Sequence, residues 1–216
     1  MAGLDDDNVL NLLTSDTKAM HDHNTVNYND KYSFENIECN KHLQRDCQKN
    51  TDDTCHQWSA ALKKLISATI KERNDFMAHG EKSFSKAYIH EFHRKVDEYL
   101  KNGWEEKEAD SGIYGASFER TLLNRIAKYR RNYFLWVEDF SLPTTNNLSE
   151  RGLRGIKSHM KISGQFESVE AADNHALNRT YIETCRRNGI NEINSLQRLC
   201  EGKPYTVAEI FSASPP

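Results

Sequence analysis

Three groupings of residues in this chain have the types and spacing to do chemistry. The first is PTTNNLSERGLRGIKSHMK, Pro143 to Lys161, in which one carboxylate, Glu150, is followed by Arg151, Arg154, Lys157 and Lys161, with His159 among them and no further acid. A row of cations is most simply a solvated helix face, but an acid at the mouth of a wholly basic stretch is unusual for one. The second grouping is His21-Asp22-His23. The third is Cys39 and His42, three positions apart and therefore on one face of a helix, followed by Cys47, Cys55 and His56. Structural zinc sites pair two ligand doublets across a defined loop. Here the second doublet would be adjacent residues, so the spacing argues against zinc and for cysteine as a small buried hydrophobe.

These residues need elements to hold them. After the Pro143 turn, Asn146 and Asn147 can cap a helix, since an Asn side chain accepts free N–H groups of a first turn. Thr17–Asp22 is predicted as a short strand leading into the histidines, NTVNYNDKYSF as a loop, and ENIECNKHLQRDCQKN as a helix. Gln57–Met77 carries Trp58, Leu62, Leu65, Ile66 and Thr69 at helical spacing. After the break HGEKSFS, Lys86–Lys101 carries Ile89, Phe92, Val96, Tyr99 and Leu100, and Asn102-Gly103 reads as its stop. The two stripes predict a helical hairpin packed on itself. Glu105–Tyr114 reads as a linker, Phe118–Asp139 as a third long helix, and HMKISGQF as a short strand or extended arm. Ser168 is positioned to cap a helix running to about Asn188, with Gly189 as its stop. Two shorter helices follow, Glu192–Cys200 and Thr206–Phe211.

Composition limits the function classes. The 216 residues are 37% hydrophobic with a net charge of −3, so the core is lean and total charge does not mark a nucleic-acid binder. The distribution says more: Asp5, Asp6 and Asp7 make the N-terminus acidic ahead of a small apolar patch (Val9, Leu10, Leu12, Leu13), Glu105–Asp110 is acidic, and Arg151–Lys161 is basic. No apolar run approaches the roughly 20 residues that span a bilayer, and no secretory leader pattern opens the chain. Five cysteines at irregular spacing argue against a disulfide framework. The expectation is a reduced, cytoplasmic protein without a membrane partner.

NNLSERGLR, then KISGQF, then YIETCRRNGIN resemble the C-terminal signature of the insertion sequence 66 family of bacterial transposases. HDHNTVNY and ECNKHLQRD resemble that family's Asp-bearing strand and CxxH helix. The resemblance runs from about Asp16 to about Leu199. It implies a ribonuclease H-like core with an Asp-Asp-Glu triad, in which Asp22 matches the second aspartate and Glu150 the glutamate, 128 positions apart. Helices between them fit the insertion such transposases place there. Arg151 and Arg154 match the arginines after the glutamate, and Cys39 and His42 match an element that braces the site.

The chemistry so implied is phosphoryl transfer on DNA, in which two divalent ions stabilise the attacking and leaving oxygens. Asp22 and Glu150 would hold Mg²⁺ or Mn²⁺, hard ions that take carboxylate oxygens and water. Arg151, Arg154, Lys157 and Lys161 would hold the phosphate backbone, and Asn146 and Asn147 would support the glutamate helix. The family's first aspartate lies on an early strand, and only 21 residues precede Asp22. The expectation is therefore a mainly α chain with few short strands: a truncated ribonuclease H-like core, its first strands missing, carrying a long helical insertion. The parts are residues 1–50 (partial core with Asp22 and the CxxH helix), 51–140 (insertion) and 141–216 (C-terminal helices with the Glu motif). Such a chain would be inactive alone. Its partners would be transposon-end and target DNA, a second copy, or the missing N-terminal part. The alternative is a non-catalytic helical protein that binds DNA or regulates a transposase.

Overall fold

A computed structural model describes residues 15–23, 25–28, 34–110, 112–164 and 166–212, apart from six side chains between Leu148 and Ser163. The N-terminal acidic and apolar patches, the His159 side chain and the closing prolines lie outside it. The chain forms two compact units, Met1–Glu150 and Arg151–Pro216. It is mostly helical, and no helix among the described residues is long and apolar enough to cross a membrane.

In the first unit, β1 (Lys18–His21) and β2 (Glu35–Glu38) pair in parallel, with Lys18 opposite Glu35 and His21 opposite Glu38. Glu35–Glu38 was expected to be helical. Four residues of mixed polarity carry no periodicity of their own, and Ile37, buried in the core, selects the strand. The helix begins afterwards, as α1 (Asn40–Thr54). Cys55, in the left-handed region at φ +61°, ends it and His56 starts α2 (Gln57–Ala78).

α3 spans Lys86–Ala109 and does not stop at Asn102-Gly103. A Cβ on Gly103 would stand 2.7 Å from Leu123 Cδ2 and 2.8 Å from Trp58 Cδ2, so this glycine lets helices approach and ends nothing. The expected third helix is broken at Tyr129 into α4 (Ala116–Lys128) and α5 (Arg130–Phe134), continued by a 3₁₀ turn, Leu135–Val137. The hairpin expectation is met and extended: α1 packs on α2, α2 on α3, α3 on α4, and α5 on β2. One core cluster runs through them, from Ile37 and Leu43 by Trp58, Leu62, Phe92 and Val96 to Leu122, Ile126, Phe134 and Trp136. Inside it Glu119, fully buried, accepts from Trp58 Nε1 (2.7 Å) and Asn50 Nδ2 (3.2 Å) and meets His56 Nδ1 at 2.7 Å.

α6 (Asn147–Ser163) begins in the first unit and continues in the second. The KIS segment is helical, where a strand or arm was expected: the helix runs on through Gly152 and Gly155 and ends at Ser163, before Gly164 at φ +74°. In the second unit α7 (Val169–Arg187) is capped as predicted by Ser168, whose Oγ accepts from Ala171 N at 3.0 Å, and Gly189 at φ +81° follows its end. α8 (Glu192–Cys200) and α9 (Val207–Ser212) complete it.

Candidate active site

The two parallel strands set the site. Asp22 directly follows β1 and Cys39 directly follows β2, and the Cys39 N–H donates to His21 O at 3.1 Å, closing the ladder. Both residues thus stand at the carboxyl ends of the strands, where open α/β sheets place their ligands. Cys39, 1% exposed, is the N-cap residue of α1, and this puts His42 in the first turn, over Asp22.

The glutamate arrives from the other end of the unit. Arg73 on α2, 7% exposed, donates through Nη2 to the carbonyls of Phe140 and Leu142, the latter at 2.8 Å. Buried Asn40 donates its backbone N–H to Thr144 O (3.0 Å) and its side chain to Tyr133 O (2.8 Å). The segment so anchored delivers Asn146, whose Nδ2 donates to Asp22 Oδ1 at 2.7 Å and whose backbone N–H points at Cys39 Sγ at 3.5 Å. The Asn146 amide was expected to cap α6; its Nδ2 is turned to Asp22, and its Oδ1 is buried without a partner among the described residues. Glu150 follows in the first turn of α6.

His42 stands between the two acids. Its Nδ1 is 2.9 Å from Asp22 Oδ1 and its Nε2 is 3.9 Å from Glu150 Oε1. The Nδ1 contact is off the line that an N–H···O bond needs, which leaves that buried nitrogen without an aligned partner. The Asp22, His42 and Glu150 side chains are 52%, 28% and 32% exposed, so water and a backbone phosphate can reach the carboxylates. Two water-accessible carboxylates suit a hard divalent ion, and the two orphaned buried atoms beside them suit a cation or its water. Asp22, Cys39 and His42 also form a trio whose ligand atoms all lie within 4.8 Å of one another. Cys47 is buried in the core, Cys55 is exposed, and His56 is held by Glu119, so the remaining cysteines do not join it.

Behind the site lies a group the sequence did not announce. Glu38, 1% exposed, meets His23 Nδ1 at 2.8 Å and accepts from Tyr28 OH at 2.5 Å. Burial first, then this bond to an acid, push the Tyr28 phenol far above its usual range. Asn146 as a bridge, Arg73 as a clamp and Glu38 as a buried brace had no signal beyond their residue types.

In the second unit Arg151, Arg154, Lys157 and Lys161 are all exposed. At 3.6 residues per turn they share roughly a third of the helix circumference, and none forms an ion pair among the described residues. The best-formed hollow, about 260 Å³, is also here, lined by residues that include Arg179, Thr180, Thr184 and Arg187.

Among comparisons with known proteins, a family model described as "Transposase IS66 family" matches residues 10–174, a span that contains Asp22, Cys39, His42, Asn146 and Glu150. Neither the curated proteins nor the solved structures give a match.

Proposed function

The chain belongs to the IS66 family of transposases, and from that premise we propose that Asp22 and Glu150 are two carboxylates of a DDE-type centre that cuts and joins DNA strands. The observation that carries the reading is the convergence of two acids, 128 positions apart, on the two ring nitrogens of His42. The parallel β1–β2 pair with acids at its carboxyl end supports a ribonuclease H-like core. Mg²⁺ or Mn²⁺ held by the two carboxylates would supply charge stabilisation to the attacking and leaving phosphate oxygens.

The chain's own residues do the positioning. Asn146 fixes the Asp22 carboxylate through Oδ1, which leaves Oδ2 for an ion. Glu150 is carried on a helix rooted by Arg73 and Asn40, so its distance from Asp22 is set by the core. Arg151, Arg154, Lys157 and Lys161 hold the DNA backbone. A third carboxylate, from outside the described residues or from another chain, completes the centre. The test is a supercoiled-plasmid nicking assay with Mg²⁺ or Mn²⁺, run with and without a polypeptide bearing the family's early strands. Nicking in at least one arm, lost on Asp22→Asn and on Glu150→Gln, is expected; no nicking in either arm refutes the catalytic reading.

The four cations, without an ion pair among the described residues, also favour a second reading, a non-catalytic DNA-binding or regulatory protein. In that case DNA binding occurs without divalent ions and is indifferent to Glu150→Gln, and no arm nicks. Each phosphate contact contributes about 0.9 to the slope of log affinity against log salt, so neutralising one of the cations lowers that slope by roughly 1.

A further inference from the structure

We propose that Asp22 Oδ1, Cys39 Sγ and His42 Nδ1 form a binding site for a soft divalent ion of the zinc class, sharing Asp22 with the proposed catalytic centre. Cysteine spacing argues against zinc because it offers one doublet, Cys39 and His42. Folding supplies the missing ligand from a different strand: all three ligand atoms fall within 4.8 Å of one another. Ligand atoms 2.0–2.3 Å from a tetrahedral ion stand roughly 3.3–3.7 Å apart. The 2.9 Å between Asp22 Oδ1 and His42 Nδ1 and the wider separations reach that geometry with side-chain shifts of about 1 Å.

Three further observations point to a cation here. His42 Nδ1 is buried and lacks an aligned hydrogen bond although a carboxylate oxygen stands beside it. That is the relation of two ligands of one ion rather than of donor and acceptor. Asn146 Oδ1, also buried without a partner, is available as a fourth oxygen donor or as the acceptor for a metal-bound water. The Asn146 backbone N–H is directed at Cys39 Sγ at 3.5 Å, so the sulfur stands as an acceptor among the same side chains. Binding replaces the thiol S–H bond with an S–metal bond and releases the proton to water.

Softness sets the selectivity. Thiolate and imidazole donors favour Zn²⁺ and Co²⁺, whereas Mg²⁺ takes oxygens and keeps its waters. Cys39 and His42 would thereby bind metal and hold Asp22 in place at once, with Asp22 Oδ2 still directed at the proposed reaction. The site shares Asp22 with the proposed catalytic centre, and Glu150, which is not among its ligands, separates the two in the test.

The test titrates Co²⁺ into the full chain and reads the thiolate-to-cobalt charge-transfer band in the near ultraviolet. One equivalent is expected to bind, to be displaced by Zn²⁺ and to resist excess Mg²⁺. The band is expected to vanish in Cys39→Ser, and Co²⁺ to bind at least roughly tenfold more weakly in His42→Gln. It should persist in Glu150→Gln, which abolishes nicking in the assay above, and in the Cys55→Ser/Cys200→Ser double variant, which removes the exposed thiols. Should Cys39→Ser fail to fold, the partly exposed His42→Gln decides. No band in the folded wild-type chain, an undiminished band in folded Cys39→Ser, or unchanged affinity in His42→Gln overturns the proposal.

Discussion

Replacing Arg73 by Met isolates the clamp that delivers the glutamate helix. Met keeps most of the aliphatic stem and removes the guanidinium, which lies 5.6 Å from the Phe140 ring centroid. Two buried carbonyls, Phe140 and Leu142, lose their donor. Hydrogen bonds from a charged donor are each worth about 1.5–3 kcal/mol. Against this, burial lowers the Arg73 pKa, a sign that the cation is partly desolvated, and its Nε is buried with no acceptor. That uncompensated cost brings the expected loss to about 2–3 kcal/mol. Urea unfolding of both proteins measures it. Amide exchange reports the location: the Phe140 N–H, held by Lys82 O at 2.9 Å, and the Asn40 N–H, held by Thr144 O at 3.0 Å, should exchange faster. Co²⁺ affinity should also fall, since the same segment carries Asn146 to Asp22. A destabilisation below about 0.5 kcal/mol, the size of an ordinary surface change, or unaltered protection at Phe140 and Asn40, would refute the clamp.

Gly103→Ala should cost about 1–3 kcal/mol by overpacking against Trp58 and Leu123, despite the better helix propensity of Ala. Gly155→Ala, whose Cβ would meet only the guanidinium end of Arg179, should be near neutral, and thermal unfolding of the two variants compares them. Burial, and next the neighbouring Arg130, lower the His93 pKa from its usual 6.5, and Arg130 Nε donates to His93 Nδ1 at 3.3 Å. The unfolded chain therefore takes the proton first: this contribution to stability is complete above about pH 6.5 and is lost as pH falls through the lower folded value. His93→Gln should flatten urea midpoints across that acid range, and an unchanged profile would count against it. Of the five cysteines, Cys55 and Cys200 are exposed and Cys39, Cys47 and Cys185 buried, with burial pushing the Cys47 thiol up to about 12. A thiol reagent at mildly alkaline pH should modify two cysteines quickly in the native chain, and fast reaction of a third would contradict the burial.

The family was legible because it rests on local patterns. NNLSER, HDH and CxxH are contiguous strings, and the family they resemble is the one to which the chain belongs. The α2 and α3 stripes and the Ser168 cap were legible for the same reason: periodicity and capping are energies of neighbouring residues. Reading failed where a local signal had a distant cause. Asn102-Gly103 looks like a helix stop, yet Gly103 is small because Trp58 and Leu123 press on it. ENIE carries no strand pattern, and burial of Ile37 decides its pairing.

By itself, the sequence determined which residues carry charge and helical periodicity, and so the family. Tertiary structure decided which of them meet: Asp22 with Asn146 across 124 positions, Arg73 with Leu142 across 69, and the two nitrogens of His42 with both acids. Those contacts form only after loops of that length have closed, and the closure is driven by burial of a shared core rather than by any term between neighbours. Their specificity therefore belongs to the packed chain and leaves no periodic mark along it.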